Sequence, residues 1–178
     1  MRPEPACILV GGGSSRMGRD KATIEIDGAP AWRRSVGLLN ECGFDDVHLV
    51  GGDPGRFTDV PHHDDVSPGR GPLGGLASAL SLAPWVFVVA VDLFELDAAS
   101  VRAIADCPRD DCDVVHARSG TDEQPLLGWW GGGALGCVER ALAADRLSVR
   151  GVLGSLRVRG VEVGSRAIRN VNRPEDLR

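Results

Sequence analysis

Short apolar runs alternate with amphipathic segments along the whole chain. Runs rich in Val, Ile and Leu predict strands, because such residues suit a sheet that helices cover on both faces. Segments with apolar residues every three or four positions predict helices, and Pro72 and Gly43 mark a helix start and a helix end. The predicted strands span residues 6–10, 23–26, 47–50, 85–91, 113–117, 125–130 and 158–163, and the predicted helices span 30–42, 72–80, 98–105, 135–142 and 149–156.

This order of strands and helices predicts a three-layer α/β/α fold with a Rossmann-like, mostly parallel sheet. The seven apolar residues from Trp85 to Val91 predict a central parallel strand that is covered on both faces. We expect Trp129 to point inward and its neighbour Trp130 to be partly exposed, or the reverse. At 178 residues, with no low-complexity linker, the chain is expected to form a single domain over residues 1–178.

Composition narrows the class of function. A hydrophobic content of 43% and a charged content of 25% are typical of a globular protein, and no apolar run approaches the roughly 20 residues of a membrane helix. No signal peptide is visible, so we expect a cytoplasmic protein. Five cysteines without CxxC spacing favour free thiols over a zinc site. The formal net charge of −5 disfavours nucleic-acid binding.

The most informative segment, LVGGGSSRMGRDK, follows the first predicted strand and runs from Leu9 to Lys21. Its three consecutive glycines leave backbone N–H groups open to a ligand, because no Cβ stands in the way. Arg16 and Lys21 add two cations, and cations beside bare N–H groups suit a polyphosphate. The glycines are Gly11, Gly12 and Gly13.

Two common phosphate-binding motifs do not fit this segment. A Walker-type P-loop needs Lys and Ser or Thr where Arg19 and Asp20 stand. A Rossmann fingerprint needs glycine where Arg16 stands. The segment is then a glycine-rich phosphate loop of another kind, the alternative being a solvated Gly/Ser turn with incidental charges.

A carboxylate, Asp92, follows the predicted central strand directly. Ligands of open α/β sheets gather at the carboxyl ends of parallel strands. Mg²⁺ takes one or two carboxylates there and completes its octahedron with water and phosphate oxygens. Asp92 is therefore a candidate metal ligand, the alternative being a cap of the following turn. The histidines are not expected to form a metal or acid–base centre, since His62 and His63 would face opposite sides of a strand.

Four segments resemble one known family. Residues 11–21 follow the pattern GGxSxRMGxDK, a signature of the molybdenum cofactor guanylyltransferases, the MobA-like nucleotidyltransferases. Residues 65–75 resemble the family's DxxPGxGPLAG pattern, residues 124–126 its QPL and residues 170–177 its closing NxNTPEDL. The resemblance extends over nearly all of the chain.

This resemblance implies that the protein transfers GMP from GTP to molybdopterin and releases pyrophosphate, with Mg²⁺ as its cofactor. Asp92 would hold the metal, while Arg16 and Lys21 would stabilise charge on the leaving pyrophosphate. Asp65 would help to hold guanine, whose N1–H and 2-amino group suit a carboxylate, with Asp64 as the alternative by one register. The full implied set of nucleotide- and cofactor-binding residues is Leu9, Val10, Gly11, Gly12, Gly13, Lys21, Asp65, Asp92, Asn170 and Asn172.

The closing motif and the implied partners belong to the acceptor side. Asn170 and Asn172 resemble pterin-side contacts of the family, although Asn172 could instead cap a final turn. GTP and molybdopterin are the implied small-molecule partners, and transient contact with proteins that deliver molybdopterin or mature molybdoenzymes is expected. No nucleic acid or membrane is implied, and the oligomeric state is left open.

Several positions depart from the family's pattern. The proline usual after the metal-binding Asp is missing, since Asp92 is followed by Leu93 and Phe94. Gly52 stands where a pocket Asn is frequent, and Gly74 stands where Ala is usual. Arg173 replaces a Thr in the closing motif. Two alternatives therefore stay open: a nucleotidyltransferase of cytidylyl, sugar-phosphate or phospholactate specificity, and a non-catalytic nucleotide-binding homologue.

Overall fold

The computed structural model describes residues 2–11, 21–26 and 28–170. The strands are β1 (Ala6–Leu9), β2 (Glu25–Ile26), β3 (Ala29–Pro30), β4 (Val47–Val50), β5 (His62–His63), β6 (Trp85–Ala90), β7 (Val114–Ser119), β8 (Asp122–Gly131) and β9 (Val158–Glu162). The α-helices are α1 (Ala31–Glu41), α2 (Pro72–Leu80), α3 (Ala98–Ala105), α4 (Leu135–Ala143) and α5 (Val149–Leu153).

Seven strands form one sheet in the order β5-β4-β1-β6-β8-β7-β9, and β2 and β3 form a separate antiparallel pair. β8 is antiparallel to both of its neighbours, whereas the other pairs of this sheet are parallel. α1 packs against α3, and α2 packs against α4, with α1 and α2 both in contact with β1. The predicted three-layer fold with a mostly parallel sheet is therefore confirmed.

The central strand β6 differs from the prediction in one respect. It is parallel to β1 on one side but antiparallel to β8 on the other. The reason lies in the tight turn at Gly120, whose φ of 59° is left-handed and which joins β7 directly to β8. Because a short turn can only join antiparallel strands, β8 returns beside β7 and inserts between it and β6.

Both tryptophans of β8 are buried, so the prediction that one ring would be partly exposed was wrong. Trp129 packs edge-on against Phe87, and its Nε1 donates to the carbonyl of Ala105 at 3.2 Å. Trp130 faces the opposite side of the strand, and its Nε1 donates to the carbonyl of Pro125 at 2.8 Å. β8 is an interior strand of the sheet and is buried from Gln124 to Gly131, so neither ring meets solvent.

Local signals placed the boundaries of α1, α2 and α3 well, whereas α5 ends at Leu153, three residues before the predicted end. α1 follows Pro30 and stops before Gly43, whose φ of 87° lies in the left-handed region that ends helices. α2 has Pro72 in its first turn, and α3 spans the predicted residues. β8 begins three residues earlier than predicted, and the short edge strand β5 was not predicted.

All five cysteines carry free thiols. Cys7 lies in β1 in the centre of the core, and burial raises the pKa of its thiol to about 12. This thiol is therefore a packing residue rather than a nucleophile. Over residues 2–11, 21–26 and 28–170, no helix combines the length and the apolar character that crossing a bilayer requires.

Candidate active site

A cation and a carboxylate meet at the carboxyl end of β6. Asp92 lies two residues beyond that strand, and Lys21 begins a short 3₁₀ turn ahead of β2. Nζ of Lys21 lies 3.0 Å from Oδ2 of Asp92, and the two side chains are 20% and 17% exposed. The pair is shielded enough for its charges to matter and still open to a ligand. Two residues predicted to act on the same triphosphate are thus in contact.

Backbone without a side chain lies beside this ion pair at Gly11. The N–H of Gly11 donates to the carbonyl of Val50 at 3.3 Å and is therefore not open to a ligand, contrary to the prediction from the sequence. Leu9 of β1 is in register with Ala90 of β6, which places Gly11 and Asp92 at the same level of the sheet edge. On the other side of β1, a Cβ built on Gly51 would lie only 3.0 Å from Cα of Gly11, and Gly51 has a φ of 79°. Glycine is needed there because the two loops touch through their backbones.

We call the contact between Gly11 and Gly51 the glycine edge. Asp65, rather than Asp64, lies against it. The Cβ atom of Asp65 is 3.8 Å from the position of a Cβ on Gly51, and its Oδ1 accepts a hydrogen bond from the backbone N–H of Ser67 at 2.8 Å. The side chain of Asp65 is half-buried, whereas Asp64 is exposed. Asp65 therefore borders the glycine edge, and the contact of either carboxylate with guanine stays a prediction.

An aromatic ring fills the space beside Gly52. Atoms of the Phe57 ring lie 3.1 Å from where a Cβ of Gly52 would stand, and Gly52 has a φ of 74°. Phe57 is buried and stacks on His62 with ring centroids 5.6 Å apart. A side chain at position 52 would collide with this ring, so glycine is required there. No motif in the sequence pointed to Phe57.

Two of the matching motifs meet on the opposite side of Asp92. Nε2 of Gln124 donates to Oδ1 of Asn170, which joins the start of β8 to the segment that precedes residue 171. The neighbouring Arg169 pairs with Glu95 at 2.5 Å, and Glu95 lies in the loop that follows Asp92. The ion pair between Arg169 and Glu95 therefore holds the segment that contains Asn170 close to the loop that follows Asp92.

A cleft of about 880 Å³ opens at this place. It is bordered by the first residues of β8, the first residues of α5, residues 165–170 and Pro72 at the start of α2. Its lining carries the acids Asp122 and Glu123 and three cations, Arg150, Arg166 and Arg169. The arginines were not identified in the sequence, because no motif marks them.

The remaining predicted site residues are placed as follows. Leu9 and Val10 are buried, and the N–H of Val10 donates to the carbonyl of Val50 at 3.0 Å within the sheet. Their role toward a nucleotide stays a prediction, and it is limited to apolar or carbonyl contact. The predicted residues Gly12, Gly13, Arg16 and Asn172 lie outside the described residues.

His48 and His63 form a chain of hydrogen bonds with Asp46, which the sequence did not predict. Nε2 of His48 lies 2.9 Å from a carboxylate oxygen of Asp46, and Nδ1 of His48 lies 2.8 Å from Nε2 of His63. Burial lowers the pKa of His63, and charge repulsion from His48 and His62 lowers it further. In the part of the chain that is described, no group of three or more His, Cys, Asp or Glu side chains could hold a metal ion.

Known proteins are similar to this chain in sequence and in fold. Residues 6–160 match the family model described as the MobA-like NTP transferase domain. A probable molybdenum cofactor guanylyltransferase of Opitutus terrae is 33% identical over 184 residues, which cover 95% of this chain and 90% of that protein. Another of the same name, from Pelotomaculum thermopropionicum, is 32% identical over 182 residues, which cover 96% and 88%.

Similarity at the level of the fold extends further. Molybdopterin-guanine dinucleotide biosynthesis protein A of Archaeoglobus fulgidus superimposes with a TM-score of 0.81 at 20% identity, over 97% of this chain and 94% of that one. The residues matched by the family model include the glycine edge, the Lys21–Asp92 pair and Gln124. The chain belongs to the MobA-like NTP transferase family of nucleotidyltransferases.

Proposed function

We propose that this protein transfers GMP from GTP to molybdopterin and releases pyrophosphate, in a Mg²⁺-dependent reaction. The observation that carries the proposal is the 3.0 Å contact between Lys21 and Asp92 at the carboxyl end of β6, level with Gly11. A positive side chain, a carboxylate and bare backbone at one edge form a site suited to a triphosphate. The names of the relatives support the same reaction.

The transfer of GMP requires alignment of the acceptor phosphate with the nucleotide rather than a strong general base. The acceptor is a phosphate monoester that is already ionised near neutral pH, so no side chain has to remove a proton from it. Catalysis then depends on bringing the acceptor oxygen in line with the α-phosphate and on neutralising the charge that develops on pyrophosphate. Lys21 would supply that neutralising charge, together with Arg16 from outside the described residues.

The residues at Asp92 fit a magnesium ion that is shared with the substrate. A single carboxylate with an open side agrees with the preference of Mg²⁺ for one or two carboxylates plus water and phosphate oxygens. When bound there, Mg²⁺ would polarise the α-phosphate as a Lewis acid. Lys21 balances the charge of Asp92 through their ion pair, and its ammonium would pair with phosphate oxygens once the nucleotide binds.

Guanine would lie over the glycine edge. The half-buried carboxylate of Asp65 can accept from both N1–H and the 2-amino group of guanine, a pair of donors that cytosine lacks. The cleft beside Gln124 and Asn170 would take the pterin, since its 880 Å³ lies in the range of small-molecule sites. Nucleotide and acceptor would then approach Asp92 from opposite sides.

A panel of GTP, ATP, CTP and UTP, each with Mg²⁺ and molybdopterin, tests the proposal through pyrophosphate release. GTP should be used far better than the other three. A second candidate, the same reaction with another nucleotide, is favoured by Gly52, where the Phe57 ring leaves no room for a side chain that could hydrogen-bond a base. Preference for CTP or UTP would decide for that candidate, and nucleotide binding without pyrophosphate release would indicate a non-catalytic homologue.

A further inference from the structure

Gly74 lies in the first turn of α2, directly against the carboxylate of Asp65. A Cβ built on Gly74 would stand 2.7 Å from Oδ1 and 3.0 Å from Oδ2 of Asp65. It would also stand 2.6 Å from the carbonyl oxygen of Ser67. These distances are shorter than atoms in van der Waals contact allow, so the carboxylate occupies the volume that any side chain at position 74 would need.

Hydrogen bonds hold residues 65–67 against α2. Oδ1 of Asp65 accepts from the N–H of Ser67 at 2.8 Å, and the N–H of Val66 donates to Oγ of Ser78 at 2.9 Å. Oγ of Ser78 in turn donates to the carbonyl of Gly74 at 3.2 Å, and Ser78 is almost fully buried. The backbone of residues 65–67 therefore cannot move away freely to make room for a larger residue at position 74.

We propose that Gly74 is a positioning residue, which sets the depth and orientation of the Asp65 carboxylate and thereby the affinity for the nucleobase. The inference rests on the proposed function in one respect, namely that Asp65 meets the base. The carboxylate can lie this close to α2 only because position 74 has no side chain. A methyl group at position 74 would push the carboxylate outward and break its bond to Ser67.

The neighbouring Gly75 offers a matched control. A Cβ on Gly75 would meet Cδ2 of Leu9 at 3.6 Å, an ordinary contact. Gly74→Ala and Gly75→Ala make the same chemical change in the same helix turn, and both raise helix propensity. A difference between them therefore reports on the contacts of position 74 with the carboxylate of Asp65 and the carbonyl of Ser67, and the Asp65→Ala background separates these two contacts.

The test measures GTP affinity by calorimetry, together with KM and kcat, for both variants in wild-type and Asp65→Ala backgrounds. We expect Gly74→Ala to raise the Kd and KM for GTP about tenfold, the effect of a lost hydrogen bond to a charged group, with kcat nearly unchanged. Gly75→Ala should bind GTP as the wild type does. In the Asp65→Ala background, Gly74→Ala should have no further effect. Equal effects in both backgrounds, or none in the wild type, would overturn the proposal.

A crystal structure of the Gly74→Ala variant supplies a readout that needs no ligand. The carboxylate of Asp65 should turn away from the N–H of Ser67, and an unchanged bond near 2.8 Å would overturn the proposal. The two proposals fail in different ways. If the wild type prefers a nucleotide other than GTP, the proposed function is wrong, while the same comparison with the preferred nucleotide still decides the role of Gly74.

Discussion

Nζ of Lys21 lies 3.0 Å from Oδ2 of Asp92, although the two residues are 71 positions apart in the chain. Lys21 is also the only lysine in the sequence, since every other member of the 20 Lys and Arg residues is Arg. An ammonium is a compact point charge with rotatable donors, whereas a guanidinium is a planar fork. A small cation fits best between one carboxylate and the oxygens of a phosphate chain.

Removing either partner of this pair should abolish most of the activity. Lys21→Ala and Asp92→Ala should each lower kcat by two to three orders of magnitude, since a lost transition-state charge contact costs roughly 3–4 kcal/mol. Circular dichroism and thermal unfolding should show an intact fold. Arg102→Ala, which removes an exposed ion pair with Glu41, is the matched control and should keep full activity. Near-normal turnover in either site variant would contradict the assignment.

The single lysine allows a direct test of ligand contact. An amine-specific acylating reagent can modify only Lys21 and the α-amino group, because no other side-chain amine exists. Mg²⁺ and GTP together should protect Lys21 from the reagent, because its ammonium would be engaged by phosphate oxygens. Peptide mass spectrometry measures the labelled fraction at both amines, and the α-amino group serves as the internal reference. Equal labelling of Lys21 with and without nucleotide would argue against phosphate contact.

Asp65 should determine the preference for guanine. Asp65→Asn should weaken GTP binding about ten- to a hundredfold, because a hydrogen bond to a charged group contributes about 1.5–3 kcal/mol. Binding of CTP should change little, so the ratio of the two dissociation constants is the quantity to measure. Asp64→Asn provides the control, since Asp64 is exposed and one residue removed. A loss of affinity in the Asp64 variant with none in the Asp65 variant would reverse the assignment.

Mild acid should destabilise the fold through His63. The pKa of His63 is lowered in the folded protein, first by burial and then by repulsion from His48 and His62, while Asp46 acts in the opposite direction. The unfolded state therefore binds a proton more readily near pH 6.5 than the folded state does. This contribution to stability is present above about pH 6.5 and is lost as the pH falls through the folded pKa.

Denaturant unfolding of the wild type and of His63→Gln between pH 8 and pH 5 measures this effect. The free energy of unfolding should fall toward acid pH in both proteins, and it should fall less steeply in the variant, which has no imidazole at this position. Glutamine keeps an amide donor for Nδ1 of His48, so the hydrogen bond itself is not the variable. Parallel curves for the two proteins would show that His63 carries none of the pH dependence.

Local pattern predicted the kind and order of most elements in this chain. Periodicity marked α3 over its observed range, and Pro72 and Gly43 marked the ends of helices, because each of these signals acts within a few residues. Short elements and strand order were less accessible. β5 has only two residues, which are too few to form a pattern. The position of β8 between β6 and β7 depends on the turn at Gly120 and on the strand order of the whole sheet.

By itself, the sequence determined the fold class, the glycine-rich edge and the candidacy of Lys21, Asp65 and Asp92. Motif spacing and apolar periodicity involve residues that are close together in the chain, so they can be recognised without the tertiary structure. Only the tertiary structure decided which side chains meet. It placed Lys21 on Asp92, seated Asp65 against Gly74 and set Phe57 beside Gly52. These contacts join residues that lie 5 to 71 positions apart, and they follow from strand order and loop packing, which no local pattern encodes.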